Sequence, residues 1–291
     1  MPASLKLRQA GSNPARSAAR RIGRSCASFF DNTQFLVSLI LLASTEEAHG
    51  VMKHIGILAH SAEGSALCYL TACHEGGARL GEYDHPEITM SILPMGPVLA
   101  AWERLDLPAV NRVLARSAGR LAAAGCDFFV CPDNTAHIAL ELTGLRLPLP
   151  GLHIAEVVAG EAAARGHRRV GLLGTRWTME GAVYPAAFRR HGLGYRVPAP
   201  ADRDLVDRVI FTELCAGRFL DQSRRDYVRI IAELKAEGCD AVALCCTEIP
   251  LLVAPAQSPL PVLDSTRLLA RAAVEVALGD RPMPGWIGGP V

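Results

Sequence analysis

The 291-residue sequence lacks net charge, a long apolar run, paired C-x2-C spacing and the common nucleotide-binding glycine motifs. Thirty Lys and Arg stand against 29 Asp and Glu, and the formal net charge of +1 gives no electrostatic reason to expect a nucleic acid partner. The apolar run "FLVSLILLA" (35–43) is nine residues long, too short to cross a bilayer as a helix, so no membrane is expected. No G-x-G-x-x-G follows a strand and no Walker A sequence occurs, so no nucleotide is expected. The nine cysteines are an odd number scattered through apolar stretches, which argues for free thiols in a reducing, cytoplasmic compartment. "CYLTACH" (68–74) has two cysteines and a histidine without zinc-type spacing, so no metal site is expected.

What is present is ordinary for a globular protein: half the residues are apolar and a fifth charged, with length for two modest domains. The first 50 residues differ. "KLRQAGSNPARSAARRIGRS" has no acidic residue and precedes the short apolar run. It reads either as a secretory signal or as a leader outside the fold. The second is favoured, with the folded chain beginning near Met52, because thiol chemistry suits the cytoplasm.

Three short phrases recur in order. "IGIL" (55–58) is echoed by "VGLL" (170–173), "GCDFFVCPDNTAH" (125–137) by "GCDAVALCCTEIP" (238–250), and "PLPGLHIAEVVA" (148–159) by "PLPVLDSTRLLA" (259–270). The offsets of 115, 113 and 111 residues point to a duplication. Unalternating apolar strands such as "FFVC" and "AVALC" suit parallel sheets covered on both faces. An apolar stripe at helical spacing precedes each GCD phrase, Leu107, Val110, Leu114, Ala118 and Leu121 in the first and Tyr227, Ile230, Ile231 and Leu234 in the second. Gly125 and Gly238 then stand where a helix end needs positive φ. The expected fold is α/β, with two pseudo-symmetric domains, each a parallel sheet flanked by helices.

In such sheets ligands bind beyond the carboxyl ends of the strands, so the cleft between the halves is the expected site. Asp133, Asn134 and Thr135 follow the first GCD strand; Cys246, Thr247 and Glu248 follow the second. His60 and Ser61 end the first strand of one half, Thr175 and Arg176 that of the other, with Thr178 and Tyr184 close behind. Backbone N–H groups and hydroxyls at a helix start suit a carboxylate, and a thiol there is expected to have a lowered pKa.

"DNTAH", "CCTEIPLL" and "GTRWTMEGAVYPAAFRRHGL" resemble the aspartate/glutamate racemase family, in a superfamily with hydantoin racemases, maleate isomerases and arylmalonate decarboxylases. The resemblance covers about residues 53–280. It implies a cofactor-independent amino-acid racemase or epimerase acting on an acidic amino acid or related α-substituted carboxylic acid, and a homodimer. It also implies a first domain of 53–150 plus about 262–291 and a second of 151–261. Two cysteines work on opposite faces of Cα in that family. Cys246 falls on the second of them; the first position holds Asp133. Asn134, Thr135 and Thr247 fall on carboxylate-binding positions, and Thr175 on a substrate-holding threonine.

On this basis Cys246 is the expected base and a protonated Asp133 the acid. Asp133 is alternatively only a helix cap. Cys245 and Cys131 are expected in the core. His60 and His137 are either satisfied histidines or catalytic ones, and Arg176 either pairs a distal carboxylate or is solvated. Glu248 is expected to order its junction without touching substrate. A one-cysteine decarboxylase or cis–trans isomerase of a dicarboxylate, and an inactive carboxylate-binding homologue, are the alternatives.

Overall fold

A computed structural model describes residues 52–291, so the expectations for the first 50 residues lie outside it. The first half runs β1 (Ile55–Ala59), α1 (Ala62–Leu80), β2 (Ile88–Ile92), α2 (Gly96–Glu103), α3 (Leu107–Ala123), β3 (Phe128–Val130), α4 (Ala136–Leu140) and β4 (Gly151–Leu152). Helix α5 (Ile154–Ala164) leads into the second half: β5 (Arg169–Gly174), α6 (Arg176–Glu180), α7 (Val183–Arg190), β6 (Gly194–Arg196) and α8 (Pro200–Thr212). It continues with α9 (Asp221–Ala236), β7 (Ala241–Cys245), α10 (Ile249–Leu252), β8 (Val262–Asp264) and α11 (Ser265–Leu278).

Both sheets have four parallel strands in the same order, β2-β1-β3-β4 and β6-β5-β7-β8. The duplication extends to register. Ile55 opposite Phe128 is repeated as Val170 opposite Ala241, and Phe129 opposite Gly151 as Val242 opposite Val262. Burial on both faces explains the unalternating strand sequences: β1, β3 and β7 are buried at every position. One core cluster joins Ile55, Phe128 and Val130 of the first sheet to Val170, Leu172 and Ala243 of the second through α5 and α11.

The fourth strands fall just past the expected boundaries at 150 and 261. β4 pairs with β3 and β8 with β7, so each half keeps the strand its own sheet needs. After α11 the chain returns to the first half. Trp286 bridges to Gly151, Leu147 N–H donates to Ile287 O (2.7 Å) and Gly289 N–H to Leu140 O (2.8 Å).

Helix ends repeat as well. Cys126 N–H bonds to Leu121 O at 3.1 Å and Cys239 N–H to Leu234 O at 3.0 Å, around Gly125 (φ +84°) and Gly238 (φ +88°). Five-residue-back bonds of this kind close a helix only if the turning residue is left-handed. Gly125→Ala and Gly238→Ala should therefore each cost about 1–2 kcal/mol. Urea unfolding of the two variants checks it, and a loss at only one site would break the structural equivalence.

Candidate active site

Four strand ends meet around one cavity. Beyond β3, Asp133, Asn134 and Thr135 line it; beyond β7, Cys246, Thr247 and Glu248; beyond β1, His60 and Ser61; beyond β5, Thr175. The inner chamber has a volume of about 60 Å³. It adjoins an outer chamber of about 630 Å³ that shares Ser61, Leu99, Phe211 and Cys215 with it.

Each polar group is held by its own element or by the other half. Asp133 Oδ1 accepts the Ala136 amide at 2.9 Å, capping α4, while the residue still lines the cavity. Cap and cavity group are thus compatible roles. The Asp133 turn is fixed by His137, whose Nδ1 bonds to Asp133 O (2.9 Å) and whose Nε2 accepts the Ile154 amide (3.3 Å). That histidine is fully buried, and burial pushes its pKa well below the ordinary range. Its role is structural.

Asn134 is buried, with its amide nitrogen donating to Ser265 Oγ (3.1 Å) and its oxygen accepting from Tyr184 Oη (2.5 Å). Half of its side-chain hydrogen-bonding capacity is therefore already used. Thr135 Oγ1 lies 2.9 Å from Thr175 Oγ1 and 3.2 Å from Thr178 Oγ1, which are themselves 3.1 Å apart. This triangle spans the two halves. Across from it, Ser61 Oγ is 3.5 Å from Thr247 Oγ1.

The thiol of Cys246 donates to Glu248 Oε2 at 2.9 Å, and Thr247 Oγ1 donates to the same oxygen at 2.7 Å. Both Cys246 and Glu248 are buried.

The model for Asp/Glu/Hydantoin racemase matches residues 43–273. The chain belongs to that family. Among its relatives, a broad-specificity amino-acid racemase of Bacillus subtilis is 24% identical over 174 residues, 60% of this chain and 75% of that protein. A glutamate racemase of Thermus thermophilus is 31% identical over 173 residues, 57% of this chain and only 61% of the relative. The crystal structure of an aspartate racemase homologue from Pyrococcus horikoshii superposes with a TM-score of 0.67 at 28% identity, covering 78% of this chain and 99% of that one.

Two expectations about this family member need correction. The Cys246 thiol is not lowered: burial, then the charge and hydrogen bonding of Glu248, push its pKa well above the ordinary thiol range. The helix that follows, Ile249–Leu252, has only four residues, so its N-terminal field is small beside a full carboxylate charge at hydrogen-bond distance. Arg176 does not line the cavity. Its guanidinium reaches out to Asp204 (2.7 Å) and is half exposed. Successive helical residues point about 100° apart, and at the start of α6 Trp177 faces the cavity instead.

Glu248 also does more than order its junction, because it lines the cavity beside the thiol it accepts from. Burial raises its own pKa, with the Asp133 charge adding to the shift and the two hydrogen bonds opposing it. Cys131 and Cys245 are buried in core clusters, although Cys245 also touches the cavity wall. His60 is a satisfied histidine whose Nε2 accepts from Trp102 Nε1 at 3.0 Å.

Sequence inspection missed Cys215, on the turn Leu214–Ala216, and the apolar wall of Met95, Leu99, Trp102, Trp177, Ile210 and Phe211. Partial burial and then the charges of Glu248, Glu63 and Asp133 push the Cys215 thiol up to about 12. Among the described residues no group of three His, Cys, Asp or Glu side chains is disposed to hold a metal ion.

Two outcomes are expected here. Glu248→Gln removes the negative charge that raises the Cys246 pKa, so the pH midpoint for iodoacetamide alkylation of Cys246 should move down. Peptide mass spectrometry reads this separately for each thiol; an unchanged midpoint would mean the charge is not acting. At Gly64 an added Cβ would lie 2.4 Å from Thr247 Cβ, whereas at Gly77 of the same helix the nearest atom is 3.8 Å away. Thermal melts should show Gly64→Ala destabilised and Gly77→Ala stabilised by up to about 1 kcal/mol, as an unstrained helical Gly-to-Ala change is.

Proposed function

We propose that the protein is a cofactor-independent amino-acid racemase or epimerase, acting by removal and return of the Cα proton of an α-substituted carboxylic acid. The observation that carries this reading is the pairing of Asp133 and Cys246. They stand at equivalent positions after β3 and β7 and line one cavity, with the thiol hydrogen-bonded to Glu248. The names of the relatives, a broad-specificity amino-acid racemase and a glutamate racemase, support the same class.

Racemisation requires one group to take the Cα proton and another to deliver a proton to the opposite face. Charge that develops on the substrate carboxylate needs nearby donors. The hydroxyls of Ser61, Thr135 and Thr175 line the cavity and can supply them, whereas the Thr247 proton is already given to Glu248. Burial keeps Cys246 protonated, so the thiol is the resting proton donor and Asp133 the acceptor. This inverts the assignment expected from the sequence. In the opposite direction Cys246 must be the thiolate and Asp133 must carry the proton, so one proton has to pass from the thiol to Asp133, and Glu248 Oε2, 2.9 Å from the thiol, is positioned to relay it.

The test is Cα–H exchange and inversion in D₂O across a panel of amino acids and dicarboxylates, with chirality and CO₂ release read together. Cys246→Ser and Asp133→Asn should each lower turnover by roughly 10²–10⁴-fold, the usual worth of a positioned acid or base. Asp133→Asn should keep its stability, since Asn caps a helix as well as Asp does. Inversion that survives Cys246→Ser would sink the role of the thiol. CO₂ release without inversion would favour a one-cysteine decarboxylase, and binding without turnover an inactive homologue.

A further inference from the structure

The cavity wall indicates what kind of side chain the substrate carries. One part of the lining is polar, including Asp133, Thr135, Thr175, Cys246, Thr247 and Glu248. The other is apolar, formed by Met95, Leu99 and Trp102 at and within α2, Trp177 of α6, and Ile210 and Phe211 of α8. The aromatic rings make a continuous surface. Trp102 and Trp177 have centroids 5.8 Å apart, and Phe211 meets Trp177 edge-on at 5.9 Å. Leu99 and Phe211, at the junction with the outer chamber, are 40% and 39% exposed. Large apolar side chains left open at a cavity mouth mark a surface that a ligand covers.

Charge points the same way. Among the described residues no Lys or Arg lines either chamber, whereas Asp133, Glu248 and, in the outer chamber, Glu63 do. Arg176, the one arginine expected at the site, is paired with Asp204. The Nε2 of His60 is occupied by the Trp102 N–H. A second substrate carboxylate would enter a cleft that already holds negative charge, with no bidentate partner to receive it. A zwitterionic amino acid with an uncharged side chain brings an ammonium group that the acidic side favours and an apolar group that the other wall buries.

We infer that the substrate is an α-amino acid with an apolar side chain, aliphatic or aromatic, packed against Leu99, Trp102, Trp177 and Phe211, and not an acidic amino acid. This rests on the racemase reading for the reaction but on the wall alone for binding, and the experiment separates the two. Binding is measured by tryptophan fluorescence with two unreactive probes, 3-phenylpropanoate and succinate. Exchange in D₂O is measured with phenylalanine, leucine and methionine against aspartate, glutamate, lysine and arginine.

The expected result is saturable quenching by 3-phenylpropanoate and not by succinate, with kcat/KM at least tenfold higher for the apolar amino acids. Phe211→Ala should raise KM for phenylalanine about tenfold or more with a smaller change in kcat, as lost side-chain contact does. Leu99→Arg, at an exposed position, should move preference toward aspartate and glutamate. Quenching by 3-phenylpropanoate with no exchange of any amino acid would defeat the racemase reading and leave the binding inference standing. Preference for succinate, for acidic or for basic amino acids would overturn the inference and spare the reaction. Binding of neither probe at millimolar concentration would overturn it as well.

Discussion

Hydrogen bonds that run from one half of the duplication to the other hold the cleft together. Thr135 bonds to Thr175 and Thr178, Asn134 to Ser265 and Tyr184, and Ser61 approaches Thr247. These groups sit at the carboxyl ends of buried parallel strands, where an unpaired polar atom is costly. Two sheets joined only by apolar packing could slide by fractions of an ångström without much penalty. Directional bonds between partly or fully buried hydroxyls and an amide cannot. The separation of Asp133 and Cys246, and any chemistry that needs both, depends on that constraint. Gly64 shows how close the approach is, since even a methyl group there would collide with Thr247.

Charge is the second organising fact. Among the described residues the cavity gathers carboxylates and thiols without a lysine or arginine to balance them. In a partly dehydrated cleft each negative group raises the proton affinity of the others. The upward shifts of Cys246, Glu248 and Cys215 share that cause, in addition to burial. A site of this kind stores protons, and it favours a ligand that carries a positive group. The same features keep Cys246 protonated at rest, which makes it a poor resting nucleophile.

Much of this was legible in the sequence because the duplication writes its geometry twice. The strands β1, β3 and β4 repeat as β5, β7 and β8 at the offsets seen in the three phrases, and so does the pairing register. The Asp133–Cys246 mismatch followed directly from aligning the GCD phrases. What the sequence hid depends on contacts between distant segments or on helix length. The apolar wall comes from residues 95–102, 177 and 210–211, which no local pattern relates. Arg176 and Trp177 are neighbours in the chain, yet only packing of α6 beside Asp204 decides which one faces the cavity. The direction of the thiol shift is hidden because a strand–turn–helix junction in the sequence does not show how long its helix is. The helix is one turn long, and the adjacent Glu248 outweighs it.

The unlike pair constrains how the proposed racemisation can be asymmetric. Free enantiomers have equal energies, so kcat/KM must be the same in both directions whatever groups the enzyme uses. A thiol on one side and a carboxyl on the other therefore cannot favour one product at equilibrium. Their difference can appear only in kcat and KM taken separately, through which protonation state each bound enantiomer meets. Cys246 rests protonated beside Glu248, so the enantiomer that needs Asp133 as base finds the site ready. The other must wait for, or bind, the minor form in which the thiol has lost its proton and Asp133 carries one. That enantiomer's KM carries the population of the minor form, and its kcat must compensate in proportion. An unlike pair of a thiol and a carboxyl would thus leave the proposed reaction reversible while giving the two directions different saturation behaviour, which a symmetric two-thiol site has no reason to show.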